Sequence, residues 1–208
     1  MSTLFEQNET EKLVLSAFSR SVEKGVTELN REAHITFLKR GLNEPLHPSF
    51  ISLEASRPWI CYWILHSLDL LEADISEFES SVPSFLAMCQ CKASGGFGGG
   101  PGQLPHLATT YASVSALICI GSEEALEVID CVKMKLFLFN MKDPVSGGFR
   151  MHEDGEIDIR GTYCAIAVAS LLNILDDSFT DGVDQYIRDC QSYEGGIAGE
   201  PGMEAHGG

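Results

Sequence analysis

The chain has 208 residues, 44% of them hydrophobic and 21% charged, the proportions of a folded domain with a sizeable core. Lysine and arginine number 14 against 30 aspartates and glutamates, a formal charge of −16. That field repels phosphate backbones and argues against general nucleic-acid binding, while leaving room for one basic pocket for a small anion.

The opening residues, 1–10, are polar and are expected to form a frayed, disordered tail. They show no basic start followed by an apolar run, so no signal peptide is visible. No uninterrupted apolar segment reaches the length of a membrane span. From Glu11 to Leu42 the pattern is helical, until Asn43-Glu-Pro-Leu-His-Pro48 ends it, because proline cannot continue a helix and restrains its predecessor. Ser56-Arg-Pro58 reads as a new helix start with proline in the tolerated first turn. The stretch that follows, Trp59 to Leu71, is apolar on nearly every face and is expected to be buried all round.

Beyond it the chain repeats. Gly95-Gly-Phe97, Gly147-Gly-Phe149 and Gly195-Gly-Ile197 recur at intervals of 52 and 48 residues. Each follows a short helix of outer-layer character: Phe85–Gln90, Val132–Met141 and Val183–Gln191. The first two precede helices that are small and apolar all round, Tyr111–Ile120 and Tyr163–Leu172. Counted from the first glycine, both tyrosines stand at offset 16, and His106, Asp158 and His206 all stand at offset 11. Equal offsets predict equivalent places at the entry to successive inner helices. The expected fold class is therefore all-α. Amphipathic outer helices and apolar inner helices alternate through glycine turns over residues 11–208, with repeats starting near 95, 147 and 195. The third repeat reaches Gly208 before an inner helix begins, so an apolar flank is expected to be left uncovered.

Seven cysteines, an odd count lying mostly in apolar helical stretches, suit reduced thiols in the cytoplasm rather than a disulfide framework. Cys89-Gln-Cys91 has no second pair at zinc-ribbon spacing. The glycine-rich run from Gly95 to Tyr111 could present amides to an anion, but it lacks the Lys-Ser/Thr ending of a P-loop and follows no strand; a structural turn is the better reading.

Glu54–Trp63, Gly95–Tyr111, Gly155–Cys164 and the ending Glu200-Pro-Gly-Met-Glu-Ala-His-Gly-Gly208, with Arg31–Leu42 before them, resemble the protein prenyltransferase β family, and within it the β subunits of protein farnesyltransferases. The resemblance runs in order from about residue 30 to the end. It implies an α/α toroid, pairing with a helical-repeat α subunit, and transfer of a farnesyl group from farnesyl diphosphate to the cysteine of a C-terminal CaaX motif. By resemblance, His206 helps hold the diphosphate, which is chemically reasonable because an imidazole proton can offset charge on a departing phosphate oxygen. Arg160 and Tyr163 match residues lining the isoprenoid channel, and Gly208 lies beside the lipid. Glu156 and His106, with Arg160, match a water-linked set near the peptide's terminal carboxylate. Ala108 matches a further peptide contact. Trp59 and Trp63, four apart and so on one helix face, match an aromatic wall touching lipid and peptide, although on composition alone two such tryptophans would be core. Asp158 carries no role from the family.

The resemblance also implies a zinc ion that binds the substrate thiol as thiolate, with ligands beyond residue 208 and none within this chain, and magnesium for activity. On that basis the chain is expected to be inactive alone. A type I geranylgeranyltransferase β subunit is the near alternative, since a small residue replaces Trp59 there and deepens the channel. A non-catalytic short form that only binds the α subunit is the alternative from another class. A terpene cyclase would need an Asp-x-Asp-Asp cluster, which Asp176-Asp177 is not, and thioester complement domains need Gly-Cys-Gly-Glu-Gln, which is absent.

Overall fold

The computed structural model describes residues 3–23, 25 and 28–206, and the chain divides into two compact units, Met1–Thr36 and Phe37–Gly208. In the first unit, α1 spans Thr3–Glu23 with none of its residues buried. Its start is helical where the polar composition suggested fraying: Gln7 donates to Glu11 across one turn at 2.9 Å, and Lys12 pairs with Glu9 at 2.8 Å. The helical section expected from Glu11 to Leu42 is two helices, because Asn30 caps a new one by accepting from the Ala33 amide. That helix, α2 (Arg31–Asn43), contains the boundary between the units.

In the second unit a 3-10 stretch, Pro48–Ser56, leads into α3 (Arg57–Leu70), with Pro58 in its first turn as expected. A short 3-10 turn, Ser76–Phe78, follows, and the further α-helices among the described residues are α4 (Ser81–Cys89), α5 (Leu107–Ile120), α6 (Glu123–Glu127), α7 (Cys131–Met141), α8 (Ile159–Leu171), α9 (Asp177–Thr180) and α10 (Val183–Asp189). The apolar helices α3, α5 and α8 pack in a row, with α4 against α5 and α7 against α8. The alternation of inner and outer helices read from the repeat is thus present. Its short departure from helix is a two-stranded antiparallel hairpin, β1 (Ile197–Ala198) and β2 (Ala205–His206). No helix among the described residues is long and apolar enough to cross a membrane.

The inner helices are not equally buried. α5, packed between α3 and α8, buries ten of its residues, including Thr109, Thr110, Ser113 and Ser115. α3 was expected to be enclosed on every side, yet Trp63 is 50% exposed and Leu70 67%. α8 likewise exposes Tyr163 (62%) and Leu171. Composition reports that a face is apolar; only the neighbours decide whether it is covered.

Each repeat is held to the next by the same backbone bond. The first amide of an inner helix has no partner inside that helix. Here it reaches the following repeat's turn: Arg57 to the Gly99 carbonyl (3.1 Å), Leu107 to Met151 (2.8 Å) and Ile159 to Gly199 (2.7 Å). All three acceptors stand four residues after the first glycine of their turns. Those glycines, Gly95, Gly147 and Gly195, have φ of +87°, +80° and +91°, a region that side chains with a β-carbon rarely occupy. Inside each repeat, the Phe97 amide donates to Thr110 Oγ1 (2.9 Å) and the Phe149 amide to Thr162 Oγ1 (3.2 Å), fixing turn to helix.

Candidate functional site

The N-terminal ends of the inner helices carry the candidate residues. Trp59, Tyr111 and Tyr163 are spaced 52 residues apart and stand side by side because α3, α5 and α8 do. The ring centroids of Trp59 and Tyr111 are 5.8 Å apart, those of Tyr111 and Tyr163 5.5 Å, and the two phenol oxygens 3.4 Å. Trp63 (5.4 Å) and Tyr62 (6.1 Å) extend the row around Trp59. Burial raises the Tyr111 hydroxyl above its ordinary pKa, and the contact with Tyr111 raises that of Tyr163, so both remain phenols at neutral pH. An open, half-buried aromatic face of this kind suits an apolar ligand more than an ionic one.

A polar cluster borders the row. His106 caps α5, its Nδ1 accepting the Ala108 amide at 3.1 Å. Asp158, at the same offset, caps α8 by accepting the Arg160 amide at 2.7 Å. The equal spacing therefore does produce equivalent positions, filled by different chemistry. Asp158 also grips the Arg160 side chain from two oxygens, 2.8 Å to Nε and 2.7 Å to Nη2. Burial would raise the Asp158 carboxyl, but the Arg160 hydrogen bonds and charge outweigh it and hold the group below the usual carboxylate range. Arg160 is raised in turn, chiefly by its hydrogen bond to Asp158, and its side chain stays 68% exposed.

His106 lies beside His152, with ring centroids 5.6 Å apart, and Glu156 Oε2 is 3.9 Å from His152 Nε2. Burial first, then His152, lowers the His106 pKa; the Glu156 charge opposes this and the Arg160 charge adds to it. His206 is exposed on β2. A β-carbon added at Gly199 would stand 3.1 Å from Asp158 Oδ2 and 3.6 Å from His206 Nε2. The His206 charge is also among the influences that lower Asp158. The sequence-derived residues Trp59, Trp63, His106, Ala108, Glu156, Arg160, Tyr163 and His206 thus fall along one edge of the inner row, and Gly208 lies outside the described residues.

Three neighbours went unassigned in the sequence. Tyr111 was marked by its offset and Asp158 by its equivalence to two histidines; His152 carried no signal of either kind. A hollow of about 290 Å³ opens elsewhere, between Phe37, Leu38, Phe50, Leu53 and Ile60, and touches the candidate set only at Trp63. Among the described residues no group of three His, Cys, Asp or Glu side chains could hold a metal ion, so the zinc implied by the resemblance has no fitting donor set there.

Comparison with known proteins bears on what such an edge does. A family described as the prenyltransferase alpha-alpha toroid domain matches residues 29–208. The protein farnesyltransferase subunit beta of Arabidopsis thaliana is 56% identical over 189 residues, covering 90% of this chain and 39% of that protein. The chain therefore spans about two fifths of that relative's length. The geranylgeranyl transferase type-1 subunit beta of the same plant is 29% identical over 227 residues, covering 98% of this chain and 60% of that protein. Among solved structures, Candida albicans protein geranylgeranyltransferase-I complexed with GGPP superposes with a TM-score of 0.56 at 16% identity, over 72% of this chain and 45% of that one, a likeness of fold alone.

Proposed function

Because this chain belongs to the prenyltransferase alpha-alpha toroid family, we propose that it works as the β subunit of a cytoplasmic protein farnesyltransferase, paired with a prenyltransferase α subunit. The reaction moves a farnesyl group from farnesyl diphosphate to the cysteine of a CaaX protein. The observation that carries this reading is the aromatic row Trp59–Tyr111–Tyr163 ending beside the Asp158–Arg160 pair: an apolar wall with a fixed cation at its far end. A lipid diphosphate needs both.

In this reading Trp59, Arg160 and Tyr163 line the lipid's path, with Gly208 beside it, and His206 donates to the diphosphate. Trp63, His106, Ala108, Glu156 and Arg160 meet the peptide. The family's zinc would hold the substrate cysteine as its thiolate; no step is assigned to the described residues through it, because they offer no fitting set of ligands. Magnesium would accompany the diphosphate. Within this chain the protein's own contributions are to orient the lipid along the ring faces and to hold Arg160 in one posture through Asp158.

The bulk of Trp59 and the greater likeness to farnesyltransferase β subunits favour the fifteen-carbon donor over the twenty-carbon one. The test is co-expression with the α subunit, followed by transfer assays with both donors. Farnesyl transfer above geranylgeranyl transfer is expected, and Trp59→Ala should move the ratio toward the longer donor. A wild-type preference for geranylgeranyl diphosphate would favour the type I alternative. Assembly with the α subunit, without zinc or turnover, would identify a non-catalytic form.

A further inference from the structure

We propose that the outer face of the second repeat is a docking groove for an amphipathic helix of a partner protein, one with an apolar stripe and with lysine or arginine along its flank. The inference goes beyond lipid transfer and stands on α7, α9 and the acidic edge beside them.

An outer helix needs one apolar face, turned toward the inner row. In α10 the exposed positions Asp184, Gln185, Arg188 and Asp189 are polar, and Ile187 is the apolar exception. The helix α7 departs from that pattern. It buries Met134, Phe137, Leu138 and Met141, yet exposes Val132, Leu136 and Phe139 by 75%, 60% and 50%. Spacings of four and three put those three on one stripe, on the side of the helix away from the buried set. A helix that is apolar on two faces calls for a cover on each.

The stripe is one wall of a hollow of about 470 Å³. Ile174, beyond α8, and Ser178 on α9 form the opposite side, with Lys135 at the edge. This opposite side is held in place before anything binds. Lys142 Nζ donates to the carbonyl oxygens of Phe179 and Asp181 at 2.9 and 2.8 Å. Phe179 is buried, its ring edge-on to Phe139 with centroids 6.2 Å apart. A groove already shaped in this way needs little ordering when a ligand arrives.

Charge decides what fills it. Lys135 is answered within the chain by Asp176 at 2.7 Å. Ser178 also lines an adjoining hollow whose edges carry Asp177, Asp181 and Asp184. Arg188 pairs with Asp184 at 3.2 Å, but among the described residues neither Asp177 nor Asp181 forms an ion pair. Lys142 directs its protons to carbonyl oxygens instead of the Asp181 carboxylate. An anionic lipid surface is repelled by such an edge, and a second copy would bring its own charge of −16. A basic amphipathic helix satisfies both parts. Its apolar side chains cover Val132, Leu136 and Phe139, and its flanking lysines or arginines meet Asp177 and Asp181. From Val132 to Phe139 the stripe rises roughly 10 Å, two turns of helix, so a short segment suffices.

The experiment uses the full chain and three fluorescein-labelled peptides of about fourteen residues, long enough to cover the stripe as helix. The first has leucines at helical spacing with lysines along one flank. The second keeps the leucines and replaces the lysines by glutamates; the third scrambles the first so that no stripe forms. Fluorescence anisotropy should show the first binding about tenfold or more tighter than either of the others. Val132→Ser and Leu136→Ser should each weaken it about fivefold, whereas Met88→Ser, exposed on α4, should leave it unchanged. Asp177→Asn with Asp181→Asn should weaken it about threefold and flatten its salt dependence. Melting curves like those of wild type show that the variants fold; should Leu136→Ser melt early, Val132→Ser decides. Absence of binding, equal binding of the scrambled peptide, or indifference to both serine variants overturns the proposal. So does attachment to phosphatidylserine vesicles, or a dimer of the chain, that Leu136→Ser abolishes, because the face would then belong to a membrane or to a second copy. Farnesyl transfer stands or falls separately, since the groove shares no residue with the aromatic row.

Discussion

The first and second repeats share a backbone and differ at one position that matters. Each runs from a positive-φ glycine through a paired turn into an inner helix, with a threonine hydroxyl binding the turn and the first helical amide reaching the next repeat. At offset 11 the first repeat has His106 and the second Asp158, and both cap their helices. The aspartate is committed twice, to the backbone and to the Arg160 side chain, whereas the histidine spends one ring nitrogen on the cap and keeps the other free. A position required for folding has thus been used in one copy to anchor a cation and in the other to present a donor. Structural and functional demands meet there without conflict because capping uses a single acceptor atom.

The largest effect should come from the join between repeats, which treats its copies unequally. A β-carbon at Gly99 would lie 1.8 Å from the Ala55 carbonyl oxygen, whereas one at Gly199 would lie 3.1 Å from Asp158 Oδ2. The equivalent residue of the second turn is Met151, so a side chain is tolerated there. Gly99→Ala is expected to cost about 3 kcal/mol or more, because backbone must move and the Arg57 amide loses its acceptor. Gly199→Ala should cost about 1 kcal/mol, since a side chain can yield. Urea denaturation of the two variants checks the order, and equal losses would show that the joins are equivalent after all.

Next in size is the cap itself. Asp158→Ala removes the cap and the Arg160 fork together and should destabilise by about 2 kcal/mol, with Asp158→Asn near half of that because the amide oxygen still caps. The pH dependence follows from the depressed carboxyl: the unfolded chain takes up the proton first as pH falls, so this stabilisation is present above the ordinary aspartate range and fades through the lower, folded value. Comparing wild type and Asp158→Asn from pH 6 to pH 3 should show wild type losing its advantage at the acid end.

How much of this was legible in the sequence depends on what each signal encodes. Offsets of 11 and 16 placed His106, Asp158, Tyr111 and Tyr163 correctly at helix entries, because a repeated backbone repeats its register. The enclosure of α3 was overestimated: hydropathy describes Trp59 to Leu71 and says nothing of how far neighbours cover Trp63 and Leu70. The hairpin of β1 and β2 was not expected, since two-residue strands carry no alternation to detect. His152 was invisible for another reason. Its counterparts at the same offset are Gly100 and Glu200, so the repeat marks no shared chemistry there, and only the fold brings its ring to His106.

The capping histidine has an acid dependence of its own, at higher pH than that of Asp158. Its folded pKa is lowered, chiefly by burial, so the unfolded chain binds the proton more readily. Stability is then complete above the unfolded value of about 6.5 and declines as pH falls toward the folded one. His106→Asn keeps an oxygen for the cap and removes the titration. Melting curves from pH 7.5 to 5 should therefore fall for wild type and stay flatter for His106→Asn; parallel curves would mean that the ring pays nothing for its place at the helix end.

The smallest expected effect separates the two tyrosines of the aromatic row. Their hydroxyls are 3.4 Å apart, at the outer limit of a hydrogen bond, and Tyr163 is 62% exposed while Tyr111 is half-buried. Tyr163→Phe should change stability by no more than about 0.5 kcal/mol, because water replaces the lost partner. Tyr111→Phe removes the hydroxyl with less access to solvent and should cost slightly more, about 1 kcal/mol. If the row serves an apolar ligand, neither change weakens farnesyl diphosphate binding more than about twofold, since the ring faces remain. Tyr111→Ala, which opens a gap between Trp59 and Tyr163, should weaken it about tenfold or more. Equal binding by the Phe and Ala variants would mean that the ligand does not lie along the rings.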